Sequence, residues 1–197
     1  GTLLYGMTVD SKGTVFVAQT DARNDVNGRA GTKKHGLKEL GNRAFLNQVT
    51  KVRFEGGKAR KPEFLDLEPL PPENPADGMA LATPFAVEVS GNDSTLFVSA
   101  AGSDKVFSMD AKSGKVMGRV KVGAVPRGIA LDPGKAGKPS RAWVLNAVDN
   151  SVSILDVSNP RSLRVVRTIP LEDPTHFEFK AGRIAFNQAD FSSTKSF

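Results

Sequence analysis

Few residues of this 197-residue chain carry the chemistry of a catalytic or metal site. The two histidines, His35 and His176, lie in separate stretches, and neither has a metal-ligand spacing such as H-x-x-x-H. Cysteine is absent, which removes disulfides, thiolate metal sites and a cysteine nucleophile. Spacing alone leaves a Ser-His-Asp set open, but no G-x-S-x-G elbow is present, and no glycine-rich phosphate loop follows a strand and opens a helix. The stretch "RNDVNG", starting at Arg23, resembles a calcium loop, yet Arg23 stands where such a loop needs Asp and Lys34 near where it needs Glu. It therefore reads as a turn. Asn92-Asp93-Ser94 fits a glycosylation sequon and, placed in a tight hairpin, also reads as turn chemistry. Glu88 is the main carboxylate on a strand that could face a central site.

The most informative local feature is the segment from Asp21 to Asn47, "DARNDVNGRAGTKKHGLKELGNRAFLN". It carries Arg23, Arg29, Lys33, Lys34, Lys38 and Arg43 against Asp21, Asp25 and Glu39, a local charge of +3. Long insertions between strands are frequent carriers of function. Arg23, Asn24, Lys33, Lys34, His35 and Arg43 form the candidate interaction surface, suited to an acidic partner. Within it "HGLKELGNRAFL" has the pattern of a short helix, with Leu37, Leu40 and Phe45 packing down.

The composition is that of an ordinary globular protein, with 39% hydrophobic and 24% charged residues. Nineteen glycines and twelve prolines, set between short Val-rich runs, favour turns and strands over helices. Lys+Arg 27 against Asp+Glu 21 leaves +6. The basic residues are scattered and most of the phenylalanines lie in strand-like runs, which argues against a nucleic-acid surface. No apolar run is long enough to span a membrane as a helix.

The elements that must position these residues repeat. Pro84 aligns with Pro126, a step of 42, while Val98 aligns with Val144 and Asp110 with Asp156, steps of 46. The additional residues fall in the turn "DPGKAGKPSR". Each unit reads as four short strands, "FAVEVS", "TLFVSA", "KVFSMD" and "KVMGRVKV" in one copy and "RGIALD", "RAWVLN", "SVSILD" and "RVVRTIP" in the next. Phe97 and Trp143 share a phase, which implies one repeated packing position between sheets. The recurrence of Asp110 and Asp156 implies a structural turn rather than catalysis. An earlier copy starts at "GMTVDSKGTVFVAQT", with Phe16 and Val17 in the places of Phe97 and Val98. "NQVTKVRF" supplies its third strand, with Arg53 in the place of Asp110, and "PEFLDLEPL" its fourth.

Four-stranded units recurring every ~40–45 residues indicate an all-β fold, a partial β-propeller of about three blades. The blades are expected over about 1–70, 84–125 and 126–171, with 21–47 as the insertion and 172–197 as a non-repeating tail. A sandwich is the structural alternative, against which the repeat argues. One blade cannot bury both faces of its sheet, and closed rings have about four to eight blades. Either further blades belong to the protein or copies associate through their open faces.

At "LFVSAAGSDKVFSMDAKSGKVMGRVKVGAVPRGIALD" and "AWVLNAVDNSVSILDVSN" the sequence resembles the YVTN-type β-propeller repeats of bacterial surface and periplasmic proteins. The tail "AGRIAFNQADFSSTKSF" resembles the lead-in to the haem domain of bacterial di-haem cytochrome c peroxidases and their relatives. Gly182, Arg183, Phe186, Phe191 and Ser192 match the Gly-Arg-x-x-Phe-x-x-x-x-Phe-Ser run that precedes a C-x-x-C-H attachment site there. The Arg23-Asn24 pair in the insertion is similar to that of the propeller–cytochrome group. The resemblance implies a non-catalytic propeller piece of an extracytoplasmic haem c electron-transfer or peroxidase-like protein. It implies no cofactor held by this chain, haem c in the full-length parent, and the haem domain or a redox protein as partner. Two alternatives stand beside it: an interaction propeller without redox role, and a propeller lactonase or other hydrolase with several convergent carboxylates.

Overall fold

The computed structural model describes residues 2–22, 45–68, 75–192 and 195. The fold is nearly all-β. The first sheet contains β1 (Leu3–Val9), β2 (Val15–Ala22), β3 (Phe45–Val52) and β6 (Glu63–Asp66), in that order. A small hairpin, β4 (Phe54–Glu55) with β5 (Lys58–Ala59), lies between its last two strands. The second sheet runs β7 (Pro84–Val89), β8 (Thr95–Ala100), β9 (Lys105–Asp110), β10 (Val116–Lys121), and the third β11 (Pro126–Leu131), β12 (Arg141–Asn146), β13 (Ser151–Asp156), β14 (Arg164–Pro170). All neighbours are antiparallel, so each sheet is a four-strand meander.

The register bears out the repeat. Val17 faces Thr50, Val98 faces Phe107 and Val144 faces Ser153, which places Asp110 opposite Thr95 and Asp156 opposite Arg141. The Asp110 carboxylate accepts the Ser113 N–H and hydroxyl, each at 2.7 Å, and Asp156 does the same with Ser158. These aspartates are turn residues, as their phase implies. Asn92 likewise serves its own hairpin, accepting from the hydroxyls of Ser90 at 2.7 Å and Ser94 at 2.8 Å.

The sheets stack face to face. Phe16, Ala18 and Val49 of the first pack against Val87, Leu96, Val98, Phe107 and Met109 of the second. Phe97 and Val106, on the opposite face of the second, pack against Ile129, Ala142, Val144 and Leu155 of the third. The second sheet is thus covered on both sides, and every residue of β8 is buried. Polar reach-overs recur at one register position: Lys51 Nζ donates to the Ala111 carbonyl at 2.9 Å, and the Ser108 hydroxyl donates to the Pro160 carbonyl. Strand β7 neighbours both β1 and β11, so the first strands of the three sheets lie innermost. Gly6 sits at their closest approach, where a Cβ would fall 2.6 Å from the Phe85 carbonyl oxygen.

Among the described residues no sheet covers the two outer faces. On the third sheet Trp143 and Leu145, the phase equivalent to buried Phe97, are 40% and 45% exposed. On the first sheet Leu4, Met7 and Val9 are exposed.

After Leu171 the chain forms a helix, α1 (Phe177–Asn187), which strand periodicity does not reveal. Its eleven residues include Gly182 and none is buried, and so short a helix is marginal alone. It is held from outside. Lys180 Nζ donates to the Asp149 carbonyl at 2.8 Å and pairs with Asp173 at 3.3 Å. Ile184 packs on Ala101, Ala124 and Val125. Among the described residues no helix is long and apolar enough to cross a membrane.

Candidate functional site

The connections from second to third strands and from each fourth strand to the next first strand gather on one rim, and α1 lies on that rim. Asn47, Asp104 and Asn150 are register equivalents there. Their backbone carbonyls accept the N–H of Leu67 (3.1 Å), Val122 (2.8 Å) and Leu171 (2.8 Å), closing each fourth strand onto its own sheet. The Asn47 side chain then accepts the Thr83 N–H at 3.1 Å, and Asp104 accepts the Val125 N–H at 2.9 Å.

Thr83 and Val125 precede Pro84 and Pro126 and hold φ of 52° and 56°. A β-branched residue in the left-handed region costs roughly 1–3 kcal/mol. Each is fixed on its carbonyl side too, by Ala101 N–H at 2.8 Å and Ala147 N–H at 2.9 Å. The second strand's end, the third strand's start and the next blade's first residue are therefore locked together.

The lock sets the inner strands. Each carries a β-bulge at the same place, between Leu4 and Met7, Pro84 and Val87, and Pro126 and Gly128. A bulge re-aims the side chain it carries. Here these are Tyr5, Phe85 and Arg127. The Tyr5 and Phe85 rings stack with centroids 5.0 Å apart and planes 29° apart, and the Arg127 guanidinium lies 5.2 Å from the Phe85 centroid. With Thr83, Gly102 and, from α1, Phe186 and Asn187, they line a cleft of about 450 Å³.

Beside the cleft Asp104 is buried, and its second oxygen accepts the Gln188 amide at 3.0 Å. Burial holds its carboxyl above the usual range, opposed by the Val125 N–H and by Lys121 and Lys105. Burial likewise lowers Lys105, whose ammonium donates to the Ser103 carbonyl at 3.2 Å. Ala189, just past α1, is buried as well. Asp173 lies well below its ordinary value, at about 2, because the N–H and hydroxyl of Thr175 and then Lys180 favour its anion.

Of the residues singled out in the sequence, Gly182, Arg183 and Phe186 lie on α1, Phe191 ends the short 3-10 turn Ala189–Phe191, and Ser192 follows it. Phe186 and Phe191 are 91% and 74% exposed, and Phe177 and Phe179 point outward too. Arg23, Asn24, Lys33, Lys34, His35 and Arg43 lie outside the described residues, as does the expected helix except Phe45 and Leu46, which open strand β3 instead. The ends of β2 and β3 that flank this insertion belong to the same rim. His176 precedes α1, exposed, with its ring 4.7 Å from that of Phe177.

At the opposite end of the inner strands Glu88 and Asp132 line a shallow cleft of about 470 Å³. Burial raises the Glu88 carboxyl, whereas Asp132 is engaged by Ser140 and Arg141. Between the first two sheets a wider cleft of about 730 Å³ holds Lys51, Arg53, Asp93 and Asp110. Its polar groups serve the blade contact: Ser11 N–H donates to Asp93 at 3.0 Å, and Lys51, lowered by burial, spans to the next sheet. Among the described residues no group of three His, Cys, Asp or Glu could hold a metal ion.

Tyr5, Phe85, Arg127 and Asp104 were not singled out from the sequence. The signals were the paired Thr83-Pro84 and Val125-Pro126 steps and the equal phase of Asp104 and Asn150.

No family model matches the sequence, and no curated protein matches it. Solved structures share the fold. Hydrazine synthase of Kuenenia stuttgartiensis superposes with TM-score 0.59 at 17% identity, over 78% of this chain and 45% of that one. The periplasmic gluconolactonase PpgL of Pseudomonas aeruginosa gives 0.54 at 15%, over 86% and 43%. A functionally unknown protein of Desulfotomaculum acetoxidans gives 0.53 at 12%, over 86% and 43%. At these identities the likeness establishes the fold, a β-propeller, and not an activity. The chain spans less than half the length of each of these structures.

Proposed function

We propose that this chain is a non-catalytic propeller module that scaffolds or docks the haem domain of an extracytoplasmic haem c electron-transfer or peroxidase-like protein. The observation that carries the reading is the seating of the Gly182–Ser192 run. It is pinned to the rim through Ile184, Gln188 and Ala189, while Phe186 and Phe191 face outward. A rigid rim would thereby fix the direction in which a following domain leaves the blades.

The described residues do not themselves fit a haem. His176 lies beside Phe177 and Glu178 and faces no second ligating side chain, and the chain has no cysteine for thioether bonds. The haem, when bound in the parent, would supply the redox chemistry. The part left to these blades is orientation: exposed aromatics give a neighbour an apolar footing, and the +3 insertion suits an acidic one.

The test is the full-length parent. A C-x-x-C-H within about ten residues past Phe197, with a Soret band on expression under haem maturation, is the expected result. A parent without that motif overturns the haem reading. An interaction propeller would then be the better account, supported by the same exposed phenylalanines.

A further inference from the structure

The central cleft on the α1 rim is not used by the haem reading and does not depend on it. Its floor is the ladder of Tyr5, Phe85 and Arg127, the bulge residues of the three inner strands. Their spacing is that of a stack, 5.0 Å between rings and 5.2 Å from ring to guanidinium. Such a stack favours flat partners and orients the guanidinium in a fixed plane. Arg127 is exposed and forms no ion pair or hydrogen bond with the described residues, unlike Arg141 and Arg164, which both reach Asp156. Its donor fork is therefore unspent. The cleft volume, about 450 Å³, falls in the range of small-molecule sites.

We propose that this cleft binds a small planar carboxylate. The ligand's flat body lies across the edges of the stacked Tyr5 and Phe85 rings, and its carboxylate takes two parallel N–H bonds from Arg127. The guanidinium matches a carboxylate bidentately, which an ammonium does not. Asn187 and the Thr83 hydroxyl supply the polar edge. The locked backbone at Thr83 and Val125 keeps the floor rigid, so little ordering cost falls on the ligand.

Tyr5 is the only tyrosine of the chain, so its ring resonances report the site directly. The experiment is an NMR titration of the 197-residue chain with benzoate, following the Tyr5 ring and the Arg127 Nε–H signals. Two control probes separate the contributions: acetate has the charge without the ring, and benzyl alcohol the ring without the charge. Benzoate is expected to shift both signals saturably, with each control at least about tenfold weaker. Arg127→Lys should weaken benzoate about tenfold and Arg127→Ala should abolish it. Tyr5→Leu, followed at the Arg127 signal, should weaken benzoate and leave acetate unchanged. Unmoved Tyr5 resonances, equal binding of benzyl alcohol, or benzoate binding undiminished in Arg127→Ala would each overturn the proposal. Binding of an acidic peptide but not benzoate would do so too, because it would assign the guanidinium to a macromolecular surface.

Discussion

Phe16, Phe97 and Trp143 hold one register position on three successive second strands, but only the first two have a neighbouring sheet over them. That gives a prediction with an internal control. Phe97 is fully buried, and truncation to Ala removes its buried ring area and leaves a cavity between two sheets. Some ~150 Å² of apolar surface at roughly 25 cal/mol per Å² is about 4 kcal/mol, in the usual range of Phe→Ala core changes. Phe16→Ala should cost about the same, being 1% exposed. Trp143 is 40% exposed, so its truncation opens no cavity and forfeits only cross-strand contacts, about 1–2 kcal/mol. Urea unfolding at concentrations low enough to prevent association measures all three. Total stability is commonly about 5–15 kcal/mol, so Phe97→Leu, expected at under about 1.5 kcal/mol, guards against a variant that does not fold. If Trp143→Ala costs the dilute monomer as much as Phe97→Ala, the stacking order of the sheets is wrong.

Three further outcomes are expected. The open Trp143 face is of the kind that elsewhere packs against the opposite phase of a following sheet, and the first sheet leaves that phase exposed at Met7 and Val9, so copies should associate head to tail; sedimentation should show concentration-dependent mass, reduced by Trp143→Glu, and a constant monomer mass would refute it. Asp104, held above its ordinary 3.8 by burial, binds more protons in the folded than in the unfolded chain just above that value, so its contribution falls as pH rises through the folded pKa. Asp104→Asn, which keeps the acceptor for Val125, should flatten that fall in a pH series of urea midpoints, and an unchanged slope would count against it. Lys180→Ala with Gln188→Ala should release α1, read as faster proteolysis around 177–191 with an unchanged urea midpoint for the blades; equal cleavage rates would show that the pins do not hold it.

The blades were legible in the sequence because a packed sheet constrains residue type at fixed phase. Val98 and Val144 must be apolar, Asp110 and Asp156 must turn the chain, and each constraint recurs with the repeat. The tail resisted the same treatment. Helix α1 has no buried residue, so no core-facing stripe betrays it, and its few contacts come from rim residues distant in sequence. The central cleft was hidden for the converse reason. The bulge fixes where Tyr5, Phe85 and Arg127 point without fixing what they are, so three equivalent positions carry a phenol, a phenyl ring and a guanidinium, and an alignment by residue type passes over them. The scaffold thus repeats its backbone and varies its side chains where the inner strands converge. A ring of blades can change what it binds there without altering the packing that holds it together, because the locks at Asn47 and Asp104 secure the backbone independently of the residues it presents.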